Sequence, residues 1–160
     1  MSHILISGTP GVGKTTLCKK LSSELNLKHI DISNFIKEEK IYEEYDDELD
    51  TYVFDENKVK KILDEKYKNT NIFCIFDTHT PELCSNIKNI CVFVIKEDTK
   101  ILRERYEDRK YSEKKIMENI TCEIMDVVED EAREYFDNVI IIEDGDMEKR
   151  IEIIKDFYKK

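Results

Sequence analysis

Residues 8–16, GTPGVGKTT, place Gly8 and Gly13 on either side of four residues and follow them with a lysine and two threonines. Residue types in this spacing suit the chemistry of a bound polyphosphate. The glycines let backbone N–H groups turn inward around a phosphate where a side chain would block the approach. The run behind them, TTLCKKLSSELN, has helical character and aims its partly positive N-terminus at the same anion. In that arrangement Gly11 and Gly13 shape the cradle, and Lys14 reaches the β- and γ-phosphates. Thr15 offers its hydroxyl to Mg²⁺, and Thr16 serves the α-phosphate. A merely structural glycine turn is the alternative. A strand-like run before the motif and a helical run after it argue against that.

A phosphate loop of this kind needs a second anchor for its metal. NIFCIFD is an apolar run ending in Asp77, whose carboxylate holds Mg²⁺ directly or through a water. His79 lies two positions on, so its side chain points to the same crevice at the strand ends. It either bonds a neighbouring loop, or orients an attacking water or a phosphate. Arg105 and Arg109 are four residues apart and share a helix face. They read either as a clamp on a transferring phosphoryl group or, with Glu104, Glu107 and Asp108 among them, as a solvated salt-bridge face.

These residues must be positioned by an α/β fold. Short β-rich runs (HILIS, KHIDI, NIFCIFD, ICVFVI and VIII) alternate with helical patterns such as Val59, Ile62, Leu63 and Tyr67. The alternation predicts right-handed crossovers and one five-stranded parallel sheet flanked by helices. No repeat or linker divides residues 1–160, which read as a single domain with two insertions, at about 31–54 and 108–118. The C-terminal IEIIKDFYKK has helical spacing and reads as core packing.

Composition narrows the partners. The chain has 160 residues, 40% of them hydrophobic, with 36 acidic against 26 basic residues and a formal charge of -10. That balance argues against generic binding to a nucleic-acid backbone, which needs clustered Lys and Arg. Cys18, Cys74, Cys84, Cys91 and Cys122 form no CxxC pair and are odd in number, so buried free thiols of a reducing compartment are expected. The longest apolar runs are too short to span a bilayer and no signal-peptide pattern precedes the first strand, which predicts a soluble intracellular protein.

GTPGVGKTTL, LKHIDI before an acidic insertion, the D-x-H pair at 77–79 and ERYEDRKYSEKKIMENITCEI together resemble one family. It is that of adenylate kinase isoenzyme 6, also described as the coilin-interacting nuclear ATPase protein. The resemblance runs over roughly residues 3–136. It implies a P-loop kinase with strand order 2-3-1-4-5, a nucleoside-monophosphate-binding insert and a short lid. It further implies adenylate kinase and ATPase activity on ATP and AMP with Mg²⁺. It extends to maturation of the small ribosomal subunit with a basic ribosomal protein as partner, in nucleus and cytoplasm. Arg109 occupies the family's nucleotide-binding lid position, and Lys110 stands where the family has glycine. Lys37 stands where the family has an arginine in the helix after the second strand; it keeps the charge for AMP but lacks the bidentate fork. TPELCSNIK replaces an aromatic-rich segment after His79, in a place to line the acceptor site or meet a partner.

The run 43–50, EEYDDELD, carries six negative charges in the insert that the resemblance assigns to an anionic monophosphate. It is either a solvated face or a dock for a basic protein. Three functions follow: an adenylate kinase, an ATPase driving ribosome assembly, or a non-catalytic nucleotide-gated module. Lys14, Thr15 and Asp77 disfavour the third. The insert and lid favour AMP as the better acceptor, with water as a second.

Overall fold

The first strand, β1 (His3–Ser7), is buried along its whole length and divides its side chains between two cores. Leu5 packs on one face, and Ile4 and Ile6 on the other. Such a strand belongs inside a sheet covered on both faces. The structure is a computed structural model that describes residues 2–48, 51–143 and 145–159. Its further strands are β2 (Lys28–Asp31), β3 (Glu44–Asp46), β4 (Thr51–Val53), β5 (Cys74–Asp77), β6 (Ile90–Ile95) and β7 (Val139–Ile142). Five of them form one parallel sheet in the order β2-β5-β1-β6-β7. With the β3–β4 hairpin left out of the count, this is the expected 2-3-1-4-5.

Seven α-helices and a short 3-10 helix (Pro81–Cys84) complete the described chain: α1 (Lys14–Leu25), α2 (Ile32–Glu38), α3 (Glu56–Tyr67), α4 (Thr99–Asp108), α5 (Glu113–Ile124), α6 (Val127–Tyr135) and α7 (Met147–Tyr158). Leu17 of α1, Leu102 of α4, Ile116 of α5 and Ile154 of α7 pack with Ile4 and Ile6. Phe35 of α2, Leu63 of α3 and Ala132 of α6 pack with Leu5 and Phe76 on the opposite face. Val59, Leu63 and Tyr67 form the buried stripe of α3 at the expected spacing, with Ile62 packed beside it. Ile151 and Ile154 do the same for α7.

Helix starts differ in a way that matters for the site. Asp55 caps α3 by accepting from the N–H groups of Asn57 and Lys58, and Asp146 caps α7 through Glu148 and Lys149. A cap of this type stabilises a helix by about 1 kcal/mol. α1 instead starts at Gly13, in the left-handed region at φ 96°, with no side-chain cap and no acid in its first turn. Its first N–H groups face the phosphate loop, where an anion can satisfy them.

Both insertions differ in detail from the sequence reading. Residues 31–54 hold α2 and the antiparallel hairpin, in which Tyr45 pairs with Tyr52 and their rings sit 5.1 Å apart. The acidic run thus folds in part as strand, because its Tyr45 forms an aromatic cross-strand pair with Tyr52 beyond the run. Leu49 and Asp50 of that run lie outside the described residues. Residues 108–118 resolve into the end of α4, a four-residue turn and the first half of α5, so the segment expected as a lid is a tight helix–helix connection. Lys110 in that turn has φ 58°, a conformation that glycine adopts without steric cost.

Candidate active site

The loop between β1 and α1 is built by fixing its carbonyl oxygens. Lys14 Nζ donates to the Gly8 and Thr9 carbonyls at 2.8 and 3.2 Å. The Tyr106 hydroxyl donates to the Pro10 carbonyl, and Arg105 Nη1 donates to that of Gly11 at 2.6 Å. Arg150 Nη1 donates to that of Val12 at 2.9 Å. Across a planar trans peptide the following N–H points the opposite way, so tethering the carbonyls of Pro10 and Val12 from behind turns the N–H groups of Gly11 and Gly13 into the loop. Gly8 admits no side chain here: a Cβ would stand 2.5 Å from the Ile95 carbonyl oxygen.

The resulting cavity has a volume of about 230 Å³ and is lined by Gly11, Gly13, Lys14, Thr15 and Thr16 on the loop side. Asp31, Ser33, Asp77, Thr78, His79 and Arg109 line the other walls. Asp77 reaches it because the parallel register sets Asp77 beside Ile6, one residue before the end of β1. Thr15 Oγ1 donates to Asp77 Oδ2 at 2.7 Å, and His29 Nε2 lies 3.3 Å from the same oxygen. Hydroxyl and carboxylate together form an all-oxygen pair facing the phosphate cavity. That is the donor chemistry that suits Mg²⁺, which takes one or two protein oxygens and keeps the rest of its shell as water and phosphate. Thr15 and Asp77 therefore fit the metal.

Burial pushes the Lys14 ammonium down to about 8, an effect that the nearby Asp77 carboxylate opposes and the Arg109 guanidinium reinforces. His79 stands at the cleft edge with solvent on one side. The crowding of its inner side, and then the Lys14 charge, hold its pKa below that of an ordinary histidine. The imidazole is neutral at physiological pH and can accept a hydrogen bond.

Gly11, Gly13, Lys14, Thr15, Thr16, Asp77, His79 and Arg109 all meet in this one cavity. Two expected residues do not join them. Arg105 lies in the last turn of α4 and Arg109 caps that helix, but Arg105 turns behind the loop, bonding Gly11 and pairing with Glu97 at 3.2 Å, so of the expected two-arginine clamp only Arg109 lines the cavity. Lys37 is exposed near the end of α2 and lines no wall of this cavity, because the buried stripe of the helix runs through Ile32, Phe35 and Ile36. After His79, Thr80 and Leu83 line a smaller apolar cavity, while Leu83, Cys84 and Ile87 enter the core. Cys18 and Cys74 are likewise buried, Cys91 and Cys122 half-buried, and all five thiols are free.

The sequence reading missed the residues behind the loop. Glu97 receives Arg105 and Arg150, each at 3.2 Å. Glu123, 4% exposed, accepts from Thr9 Oγ1 at 2.5 Å and from the Glu97 N–H at 3.1 Å. For Glu123 and Arg150 the signal was a charge on an apolar helix face. Glu123 continues the stripe of Ile116 and Ile120, and Arg150 sits beside Ile151 and one turn from Ile154. His29 carried no such signal.

The comparisons with known proteins agree with this geometry. Residues 4–126 match the family described as AAA domain. The chain is 34% identical to the adenylate kinase isoenzyme 6 homolog of Plasmodium falciparum, over 97% of this chain and 94% of that one. It is 39% identical to the homolog of the same name in Dictyostelium discoideum, over 88% and 79% of the two chains. The shikimate kinase of Acinetobacter baumannii, solved in complex with shikimate, superposes with a TM-score of 0.68 at 15% identity, covering 99% of this chain and 93% of that one. That likeness shows the P-loop kinase fold. With a phosphate loop, an oxygen pair of the kind that suits magnesium and relatives of this identity along nearly the whole chain, the protein belongs to the adenylate kinase isoenzyme 6 family.

Proposed function

We propose that the protein transfers the γ-phosphoryl group of ATP to AMP, with water as a slower second acceptor. The observation that carries this is the position of His79, which lines both the phosphate cavity and the neighbouring apolar cavity. That second space, about 70 Å³, is bounded by Ile36, Tyr52, Phe54 and Leu83, surfaces suited to a nucleobase. The names of the relatives support adenosine nucleotides as substrates.

On this reading the donor's phosphates enter the loop and draw Lys14 off the Gly8 and Thr9 carbonyls. The N-terminal amides of α1 take up the β-phosphate. Arg109 stabilises charge spread over the transferring phosphoryl oxygens, and Thr15 and Asp77 would hold Mg²⁺. Held there, Mg²⁺ would supply charge neutralisation for the polyphosphate. His79 positions the acceptor oxygen, whether of AMP or of water. Because it is neutral and reachable by solvent, an ATPase reading stands beside the kinase one.

Glu43, Glu44, Asp47 and Glu48 leave an exposed acidic edge on the insert. Asp46 is occupied differently, its carboxylate accepting from the Glu48 N–H at 2.9 Å. An acidic edge beside an anion-binding cleft is explained by a basic partner, and we assign to it a small-subunit ribosomal protein. With that partner come a role in small-subunit maturation and a nuclear and cytoplasmic location.

Product analysis with ATP plus AMP, against ATP alone, tests the acceptor. ADP should form faster by at least about tenfold when AMP is present, and His79→Ala should lower hydrolysis more than transfer. Equal losses in both would make His79 a residue that only shapes the site. The low pKa of Lys14 gives a second test. Above about pH 8 the nucleotide-free site holds a neutral lysine, whereas bound polyphosphate favours the ammonium, so binding takes up a proton there. ATP affinity should therefore fall by up to about tenfold per pH unit above 8, and Lys14→Arg should flatten the profile. A flat profile in the parent would contradict the lysine's role. For the partner, Glu44→Lys with Asp47→Lys should weaken capture of the ribosomal protein, most at low salt, and leave AMP dependence unchanged or improved. Undiminished capture across the salt range would reduce this edge to a solvated face.

A further inference from the structure

Cys18, His29 and Asp77 come from α1, β2 and β5 and converge beside Thr15. The Cys18 sulfur, a ring nitrogen of His29 and a carboxylate oxygen of Asp77 all lie within 4.8 Å of one another. Cys18 is fully buried, Asp77 4% exposed and the His29 side chain 16% exposed. Three different ligand types meeting in one place is more than any of them offers singly. Thiolate with imidazole is a donor set for zinc-class cations, whereas Mg²⁺ prefers oxygen alone.

The distances can be compared with what such an ion needs. Tetrahedral bonds of about 2.0–2.3 Å place neighbouring ligand atoms about 3.3–3.7 Å apart. The His29–Asp77 edge is already 3.3 Å. From a separation of at most 4.8 Å the sulfur must approach by about 1.3 Å at most to close a tetrahedral face, a movement within reach of one side-chain adjustment. A route exists as well. His29, Thr15 and Asp31 line a cavity of about 330 Å³ that opens between α1 and α2, with room for a water as fourth ligand. One thiolate and one carboxylate would balance the charge of a divalent ion. The Cys18 proton leaves to solvent as the metal binds, so filling the site depends on pH as well as on metal supply.

We propose that Cys18, His29 and Asp77 form a site for a zinc-class divalent cation that withdraws Asp77 from Thr15 and so switches off magnesium-dependent phosphoryl transfer. Occupancy and activity would then be mutually exclusive, because the Asp77 oxygen bonded to Thr15 is the one closest to His29. The inhibitory half rests on the phosphotransferase reading; the binding half does not.

The test uses the full chain without nucleotide or magnesium, titrated with Co²⁺ as a spectroscopic probe. A thiolate-to-cobalt charge-transfer band should appear in the near ultraviolet, saturate at about one equivalent and be displaced by Zn²⁺. Cys18→Ala and His29→Gln should each weaken cobalt binding by at least about tenfold, while Cys91→Ala and Cys122→Ala leave the band in place. No band in the parent protein, or a band that survives Cys18→Ala, overturns the site. In the activity arm, Zn²⁺ should inhibit the parent at concentrations that spare Cys18→Ala, with added Mg²⁺ giving partial relief. Equal inhibition of both proteins, with the band still dependent on Cys18, overturns the switch and leaves the site standing. A parent that binds cobalt but transfers no phosphoryl group would contradict the functional reading instead.

Discussion

The direction of five consecutive carbonyl oxygens, from Gly8 to Val12, is the constraint on which the rest of this structure depends. A peptide loop that offers its N–H groups to an anion must hand its carbonyls to something else, since buried unpaired carbonyls are costly. Here the partners are Lys14, Tyr106, Arg105 and Arg150, drawn from α1, α4 and α7. The cradle is therefore a property of three helices packed on one face of the sheet, and of the glycines only in part. When a nucleotide recruits Lys14, the other three tethers can hold the loop in shape.

Those tethers carry charge into the core, and the core answers it. Arg150 is 1% exposed, and its guanidinium is met by the Val12 and Lys96 carbonyls and by Glu97. Removing one member of such a buried set leaves an uncompensated charge, at a cost of about 3–5 kcal/mol. Glu123 closes the arrangement by bonding both Thr9 and the Glu97 N–H. The loop's geometry is thereby coupled to α5, the helix that follows the Arg109 turn. Movement of that turn on nucleotide binding would be felt at Thr9.

The parallel sheet was legible in the sequence because its central strands are largely buried and read as unbroken apolar runs such as ICVFVI. Asp77 was legible too, since an acid ending such a run beside a phosphate loop has few other uses. The hairpin at 44–53 was not, because two three-residue strands with exposed acids leave no periodic signal. Arg105 was read as facing its neighbour Arg109 through helical spacing, but spacing cannot tell which side of a loop a long side chain takes. The Glu97, Glu123 and Arg150 contacts join residues up to 138 positions apart, and no local pattern encodes them.

Arg105 offers the most direct measurement of the central claim, because its side chain is 38% exposed and the fold should survive its loss. If Arg105 holds the Gly11 carbonyl, Arg105→Ala should weaken ADP and ATP binding by the same factor, about fivefold for the loss of roughly 1 kcal/mol. Calorimetric titration of both nucleotides into parent and variant decides the matter. Unchanged ADP affinity with a turnover reduced a hundredfold or more would mean that Arg105 clamps the transferring phosphoryl group, and the tethered-carbonyl account would be wrong.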